Sequence, residues 1–180
     1  MKSDRLTYEA VEPAHLDQFH CLVQDKHVRQ YLMDGNVFPR QWSAERINAS
    51  QALFERRGVG IGLAYEKTSH ELVGFCGFLE RPSIHPQPQL VYALFERFTG
   101  QGYATEMARA AMVQAGFRHL FAGVDEVNVA SRRVLEKIGF ERISTRAGRF
   151  GTLLLLRLAG DEPRHEGNPN ESQRIHCNEP

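Results

Sequence analysis

Apolar positions along the chain follow two periods, and the switches between them outline an alternation of strands and helices. Leu6–Ala10 alternates like a short strand. Pro13 then opens a helix near Ala14, in which Leu16, Phe19, Leu22 and Val23 recur at helical spacing. Pro39 breaks the chain, and Ser43 stands where it would cap a second helix running to about Arg56, with Glu45 in its first turn. Ile61, Leu63 and Tyr65 alternate, residues 67–71 form a polar turn, and residues 72–79 read as the returning strand of a hairpin. Pro82, Pro86 and Pro88 predict a loop over residues 81–88, because proline has no N–H to give a ladder.

The second half is more sharply patterned. Residues 89–95 are an apolar run of strand length. After Gly102, a stripe of Ala104, Met107, Ala108, Ala111, Met112 and Ala115 predicts an amphipathic helix whose small side chains let it lie close to a sheet. Residues 120–124 read as a strand, 129–138 as a helix, and 140–145 with 152–158 as a terminal strand pair. Interleaved strands and helices of this kind predict a mixed α/β (α+β) domain over residues 1–160. Residues 161–180 change character: five acidic and two basic residues, two internal prolines and almost nothing apolar. The expectation there is a polar, flexible tail, or a pendant regulatory or partner-binding segment. No internal repeat is present.

Composition narrows the function classes. The 180 residues, 42% of them hydrophobic, are enough for one domain with a real core. Lys plus Arg and Asp plus Glu number 22 each, so no net charge draws the chain to nucleic acid or an anionic membrane. Cys21, Cys76 and Cys177 are too few and too widely spaced for a disulfide framework or a zinc ribbon. The eight histidines show no metal-ligand spacing, so no metal is expected. The charged N-terminus shows no signal peptide and no membrane span, so a cytoplasmic location is expected.

Two glycine clusters are candidates for a cofactor loop. Gly58, Gly60 and Gly62 are followed by alternating apolar residues and read better as a strand with small residues on one face. The second cluster lies in Arg97-Phe98-Thr99-Gly100-Gln101-Gly102-Tyr103-Ala104, between a strand and the small-residue helix. Unpaired N–H groups and the positive dipole end at that helix start suit a pyrophosphate, and glycines let the backbone approach it. No Gly-Lys-Ser/Thr follows, and the third glycine of a dinucleotide fingerprint is missing. One strand later comes Asn128-x-x-Ser131 through Gly139-Phe140, with Asn128 placed as an N-cap and Gly139 as a helix terminator. Each feature alone has a plain structural explanation; their order and separation do not.

Residues 90–140 resemble the acetyl-CoA-binding core of the GCN5-related N-acetyltransferase (GNAT) superfamily. Arg97-x-x-Gly100-x-Gly102-Tyr103-Ala104 is similar to its phosphate loop, Thr105-Glu106 to the pair that commonly follows, and Asn128 through Phe140 to the RimJ/RimL-like branch. The resemblance extends by layout alone over residues 6–158 and leaves out the tail. It implies a central, mostly antiparallel twisted sheet of about six to seven strands flanked by about four helices. It also implies acetyl-CoA as cosubstrate and an amine acceptor, either a protein N-terminus or a small amine, in a monomer or homodimer.

Roles follow from the same resemblance. Loop N–H groups of Phe98, Gly100, Gly102, Tyr103 and Ala104 hold the pyrophosphate, within the motif that includes Arg97 and Gln101. The backbone of Ala93 and Leu94 pairs with pantetheine, and the Leu94 N–H donates to the thioester oxygen. Asn128 contacts the pantetheine arm, and Ser131 lies near the departing sulfur, where it can protonate the thiolate; otherwise it is a small polar residue of a helix turn. The cofactor gap is expected between residues 89–95 and 120–124.

The resemblance also exposes departures. The tyrosine acid of many relatives is replaced by Leu135, and their strand glutamate by Gln89. Glu80 and His85 remain as candidate bases, or as loop residues in water. Trp42, Tyr31 and Phe38 either line an acceptor pocket or simply pack. The reading is an acetyl-CoA-dependent N-acetyltransferase acting by direct attack through a tetrahedral intermediate. A catalytically inactive acyl-CoA-binding module and a partner-binding protein that works through its tail are the alternatives.

Overall fold

The computed structural model of the chain describes residues 1–33, 35–116, 119–148 and 150–158. The expected tail from residue 161 lies outside them. Seven strands form one sheet in the order β1-β2-β3-β4-β5-β7-β6, with β1 Leu6–Ala10, β2 Ile61–Glu66, β3 Leu72–Arg81, β4 His85–Leu94, β5 Phe121–Asp125, β6 Phe140–Gly148 and β7 Gly151–Leu158. Every neighbouring pair is antiparallel except β4 and β5, which run parallel.

Five α-helices flank the sheet: α1 Leu16–Gln24, α2 Lys26–Leu32, α3 Arg40–Arg57, α4 Tyr103–Ala115 and α5 Val129–Lys137. One more helix is present than the sequence leads one to expect. Asp25 takes an extended ψ of 136° that stops α1, and its side chain then accepts from the N–H groups of His27 and Val28 to cap α2. The start of α3 also differs from expectation. The helix begins directly after Pro39, and Ser43 is a fully buried interior residue whose hydroxyl meets His20 Nδ1 at 2.9 Å.

Burial divides along the two faces of the sheet. Met107, Ala108 and Ala111 of α4 and Leu135 of α5 cluster with Leu90, Leu94, Val124 and Leu154. Phe19 and Leu22 of α1, Val28 of α2 and Ile47 of α3 cluster with Leu63, Phe75, Val91 and Ala93 on the opposite face. The alanines of α4 do what their size predicts: Ala108, Ala110 and Ala111 are each nearly inaccessible, so this helix sits tight on β3 and β4.

The loop expected over residues 81–88 is shorter, a turn at 82–84, and Pro86 and Pro88 lie inside β4. The ladder accommodates them by irregularity. Leu79 pairs with Gln89 and Arg81 with His85, so Pro86, Gln87 and Pro88 have no partner on β3. Gly58 ends α3 in the left-handed conformation, and Gly60 lies against the Phe54 ring, where a Cβ would not fit. The first glycine cluster is therefore a helix stop and a close packing contact.

Candidate active site

The parallel pair is where the sheet opens. β4 and β5 share a single register pair, Gln89 with Phe121, and part beyond it. A cleft of about 790 Å³ occupies the divergence, lined by the C-terminal halves of both strands, the start of α4, the first turns of α5, part of α2 and the tip of the β6–β7 hairpin. This is the gap expected between residues 89–95 and 120–124.

Direction along β4 decides which backbone groups face the gap. The Phe95 N–H donates to the Val73 carbonyl of β3 at 3.1 Å. Successive N–H groups of an extended strand point to opposite sides, so the Leu94 N–H points away from β3, into the gap. Ala93 and Leu94 both line the cleft, but the same alternation turns the Ala93 backbone groups to β3, so of the two expected partners for an added strand only Leu94 is available. An edge left unpaired inside a cleft can take an extended, amide-bearing ligand as an added strand.

The phosphate-loop motif forms the other wall. Residues 96–98 make one 3-10 turn that buries Phe98, and Gly102 is the N-cap of α4. Gly100 and Gly102 adopt φ of +73° and +83°, which explains glycine at both positions. No heavy atom lies within 4 Å of where a Gly100 Cβ would be, so the approach to the helix start is open. Phe98, Gly100, Gly102, Tyr103 and Ala104 line the cleft, whereas Arg97 and Gln101 do not. The Phe98 N–H, expected among the phosphate donors, is instead spent on the Phe95 carbonyl at 3.0 Å, which closes the 3-10 turn. The Arg97 guanidinium lies over the rings of Phe95 and Phe98, at 4.9 and 4.7 Å, and the Gln101 amide donates back to the Arg97 carbonyl at 2.8 Å.

The loop is braced by Arg5, the residue just before β1. Arg5 donates through Nη1 to the Gln101 carbonyl at 3.0 Å, and its backbone N–H and Nε both reach the Glu106 carboxylate at 2.8 Å. Its guanidinium also covers the Tyr103 ring at 4.1 Å. Burial would raise the Glu106 pKa, but the bonds from Arg5 and Ser3 outweigh it and hold the carboxyl below its usual range.

Asn128 and Ser131 are brought together at the head of α5. Asn128 Oδ1 accepts from the Ser131 N–H at 3.0 Å, an N-cap at a residue only 9% exposed. Ser131 Oγ donates to the Tyr92 hydroxyl at 3.0 Å, and that hydroxyl donates in turn to the Ser131 carbonyl at 3.1 Å. Burial pushes the Tyr92 phenol up to about 12, the bond to Ser131 working against that rise. Tyr92 is protonated at neutral pH and serves as a donor.

Sequence reasoning passed over Tyr92 because it looked only to the tyrosine position that Leu135 fills. The available signal was strand alternation, which puts Tyr92 on the same face as Leu94 and toward α5. It also missed Asp125, the one carboxylate among the described lining residues, together with Arg81, Arg133 and Arg146.

The candidate bases lie elsewhere. Glu80 is not among the cleft-lining residues and pairs with Arg56 at 3.0 Å. His85 stacks on Phe121 with ring centroids 3.6 Å apart and accepts from the Gln87 N–H, also outside the lining. Gln89 does line the cleft. Its amide NH₂ bonds the carbonyls of His85 and Gln87, and its buried Oε1 has no described partner. Of the three aromatics, Tyr31 lines the cleft, while Phe38 and Trp42 stack on each other at 4.3 Å outside it. No group of three potential metal ligands occurs among the described residues, and no helix there is long and apolar enough to cross a membrane.

Comparison with known proteins agrees with this arrangement. Residues 5–141 match the family described as "Acetyltransferase (GNAT) domain". The uncharacterized protein YkkB of Bacillus subtilis is 31% identical over 133 residues, 71% of this chain and 76% of that one. A Bordetella pertussis protein described as of the GnaT acetyltransferase family has a similar structure, with a TM-score of 0.77 at 24% identity, covering 88% of this chain and 98% of that one. RimL, a ribosomal L7/L12 α-N-protein acetyltransferase solved with coenzyme A, superposes with a TM-score of 0.71 at 19% identity over 86% and 94% of the two chains. With the family matched across most of its length, the chain belongs to the GNAT acetyltransferases.

Proposed function

We propose that the protein is an acetyl-CoA-dependent N-acetyltransferase of the RimJ/RimL-like kind, acting on α-amines of protein N-termini or small molecules. The observation that carries this reading is the Leu94 N–H, turned into the gap where β4 leaves β5 and directly upstream of a helix start opened by two left-handed glycines. RimL, by its description, is an α-N-protein acetyltransferase, and its structure with coenzyme A supports the cofactor.

Acetyl-CoA supplies an activated acetyl group as a thioester. N–H groups of Gly100, Gly102, Tyr103 and Ala104 hold its pyrophosphate, and the Leu94 backbone pairs with the pantetheine while Asn128 steadies the arm. A neutral amine attacks the thioester carbonyl carbon, and the Leu94 N–H stabilises the oxygen that becomes anionic in the tetrahedral species. As the carbon–sulfur bond breaks, Ser131 Oγ turns its proton from Tyr92 to the thiolate and is reprotonated by the proton that leaves the nitrogen, so that serine is restored and free thiol departs.

The acceptor class follows from acidity. An α-amine titrates near about 8 and is roughly a tenth neutral at pH 7, against well under ~0.1% for a lysine near 10.4. With Glu80 outside the cleft, an α-amine asks least of the remaining groups. Initial rates on peptides bearing a free N-terminus with blocked lysines, against blocked N-termini with free lysines, test this. The α-amine peptides should be acetylated much faster; faster acetylation of lysine contradicts the assignment.

A further inference from the structure

Strand alternation sorts the cleft lining onto two sides. Leu90, Leu94, Ala122 and Val124 belong to the cluster under α4 and α5, so Val91, Ala93, Gly123 and Asp125 face the other way. That second side is roofed by α2 and by the turn after β3, whose Ile84 side chain comes within 3.1 Å of where a Gly123 Cβ would be. The proposed cofactor contacts are on the α4–α5 side, which leaves this chamber to the acceptor.

Charge in the chamber is of both signs. Arg146 pairs with Leu153 across the β6–β7 ladder, and Leu153 pairs with Asp125. Residues in register share a face, so Arg146 and Asp125 look into the same chamber from two strands apart, about 10 Å between backbones. Arg146 gives one N–H to the Ser83 carbonyl of the roofing turn. Arg81, on the last rung of β3, adds a second guanidinium to the lining.

We propose that the acceptor is an amine that carries its own carboxylate, with the amine held beside Asp125 and the carboxylate taken by Arg146 and Arg81. Guanidinium matches carboxylate geometry, and two arginines in one chamber disfavour an acceptor that is cationic throughout. The inference rests on the N-acetyltransferase reading and narrows its substrate. The carboxylate takes no part in the chemistry: a nitrogen–carbon bond forms, the carbon–sulfur bond breaks, one proton leaves the nitrogen and one reaches the sulfur. Neutral amine and thioester thus give amide and thiol.

Two acceptor pairs test it in steady-state transfer from acetyl-CoA. Glutamyl and glutaminyl dipeptide amides share an α-amine and differ in a side-chain carboxylate. Alanine and alaninamide differ at the α-carboxylate, and their rates are compared per neutral amine. In at least one pair the carboxylate member should be preferred about ten- to hundredfold in kcat/KM, and which pair shows it tells an acidic N-terminus from a free amino acid. Arg146→Gln should abolish that preference while the acetyl-CoA dissociation constant stays unchanged. Equal kcat/KM within both pairs, or a preference for spermidine, overturns the inference and leaves N-acetyl transfer standing. A chain that neither binds nor turns over acetyl-CoA overturns the parent reading itself.

Discussion

The Tyr92 hydroxyl lies 3.0 Å from Ser131 Oγ and 3.1 Å from the Ser131 carbonyl, so one residue ties the middle of β4 to the first turn of α5. The phenol takes both polar groups of Ser131 that the Asn128 cap leaves over, and so fixes the hydroxyl that is proposed to face the departing sulfur. Ser131→Ala should lower kcat about 100-fold, in the range of a lost general acid, with KM for acetyl-CoA little changed. Tyr92→Phe should cost about tenfold. Because the two act as a unit, the double variant should be no slower than Ser131→Ala alone. Single-turnover rates on the four proteins check this; additive losses would separate the two residues.

The same tyrosine makes stability depend on alkaline pH. Burial raises its pKa from 10.0 to about 12, partly opposed by the Ser131 bond. The folded state keeps a proton that the unfolded chain releases, so this contribution is complete below pH 10 and is lost as pH rises to 12. It amounts to roughly 3 kcal/mol at most. Burial moves the Cys76 thiol from 9.0 to about 12 in the same direction, with loss starting near pH 9. Urea midpoints should therefore fall between pH 9 and 11, and Tyr92→Phe should reduce the loss above pH 10 without abolishing it, because Cys76 and the Tyr8 phenol, also raised by burial, still contribute there.

Arg5 holds the carbonyl of Gln101 back and leaves the N–H side of the loop toward the cleft. Arg5→Met should weaken acetyl-CoA binding by about five- to twentyfold, the loss of one or two charge-assisted bonds, with little change in kcat. Direct titration with acetyl-CoA measures the first and saturating kinetics the second. A fall in kcat at unchanged affinity would place Arg5 in some other role.

Glu80→Gln should be close to silent. Its carboxylate is 37% exposed and pairs with Arg56 outside the cleft. A surface pair of this kind contributes under about 1 kcal/mol, and kcat should stay within about twofold of the parent protein. A hundredfold loss would return Glu80 to the list of bases.

How much of this was legible in the residues depends on whether the determinant is local. Periodicity found all seven strands, because alternation in β2 or the stripe on α4 is written in adjacent residues. It missed α2, whose start depends on one Asp25 side chain capping a seven-residue helix. It turned Pro86 and Pro88 into a loop, because only the ladder shows that β3 skips them. The two glycines of the proposed phosphate loop were readable, since left-handed φ values demand glycine at 100 and 102. Tyr92, Asp125 and Arg146 were not, because they meet only through the order of strands in the sheet. The absent glutamate at 89 drew attention toward Glu80, which the hairpin turns the other way.

The central claim is that acetyl-CoA binds at the head of α4. Calorimetric titration of acetyl-CoA into the parent protein and into Gly100→Asp tests it most directly, since a carboxylate at that open position blocks and repels a pyrophosphate while lying outside every packed cluster. The account predicts stoichiometric binding to the parent chain and its loss in a folded Gly100→Asp protein. No binding to the parent chain, or equal binding to both, would contradict it.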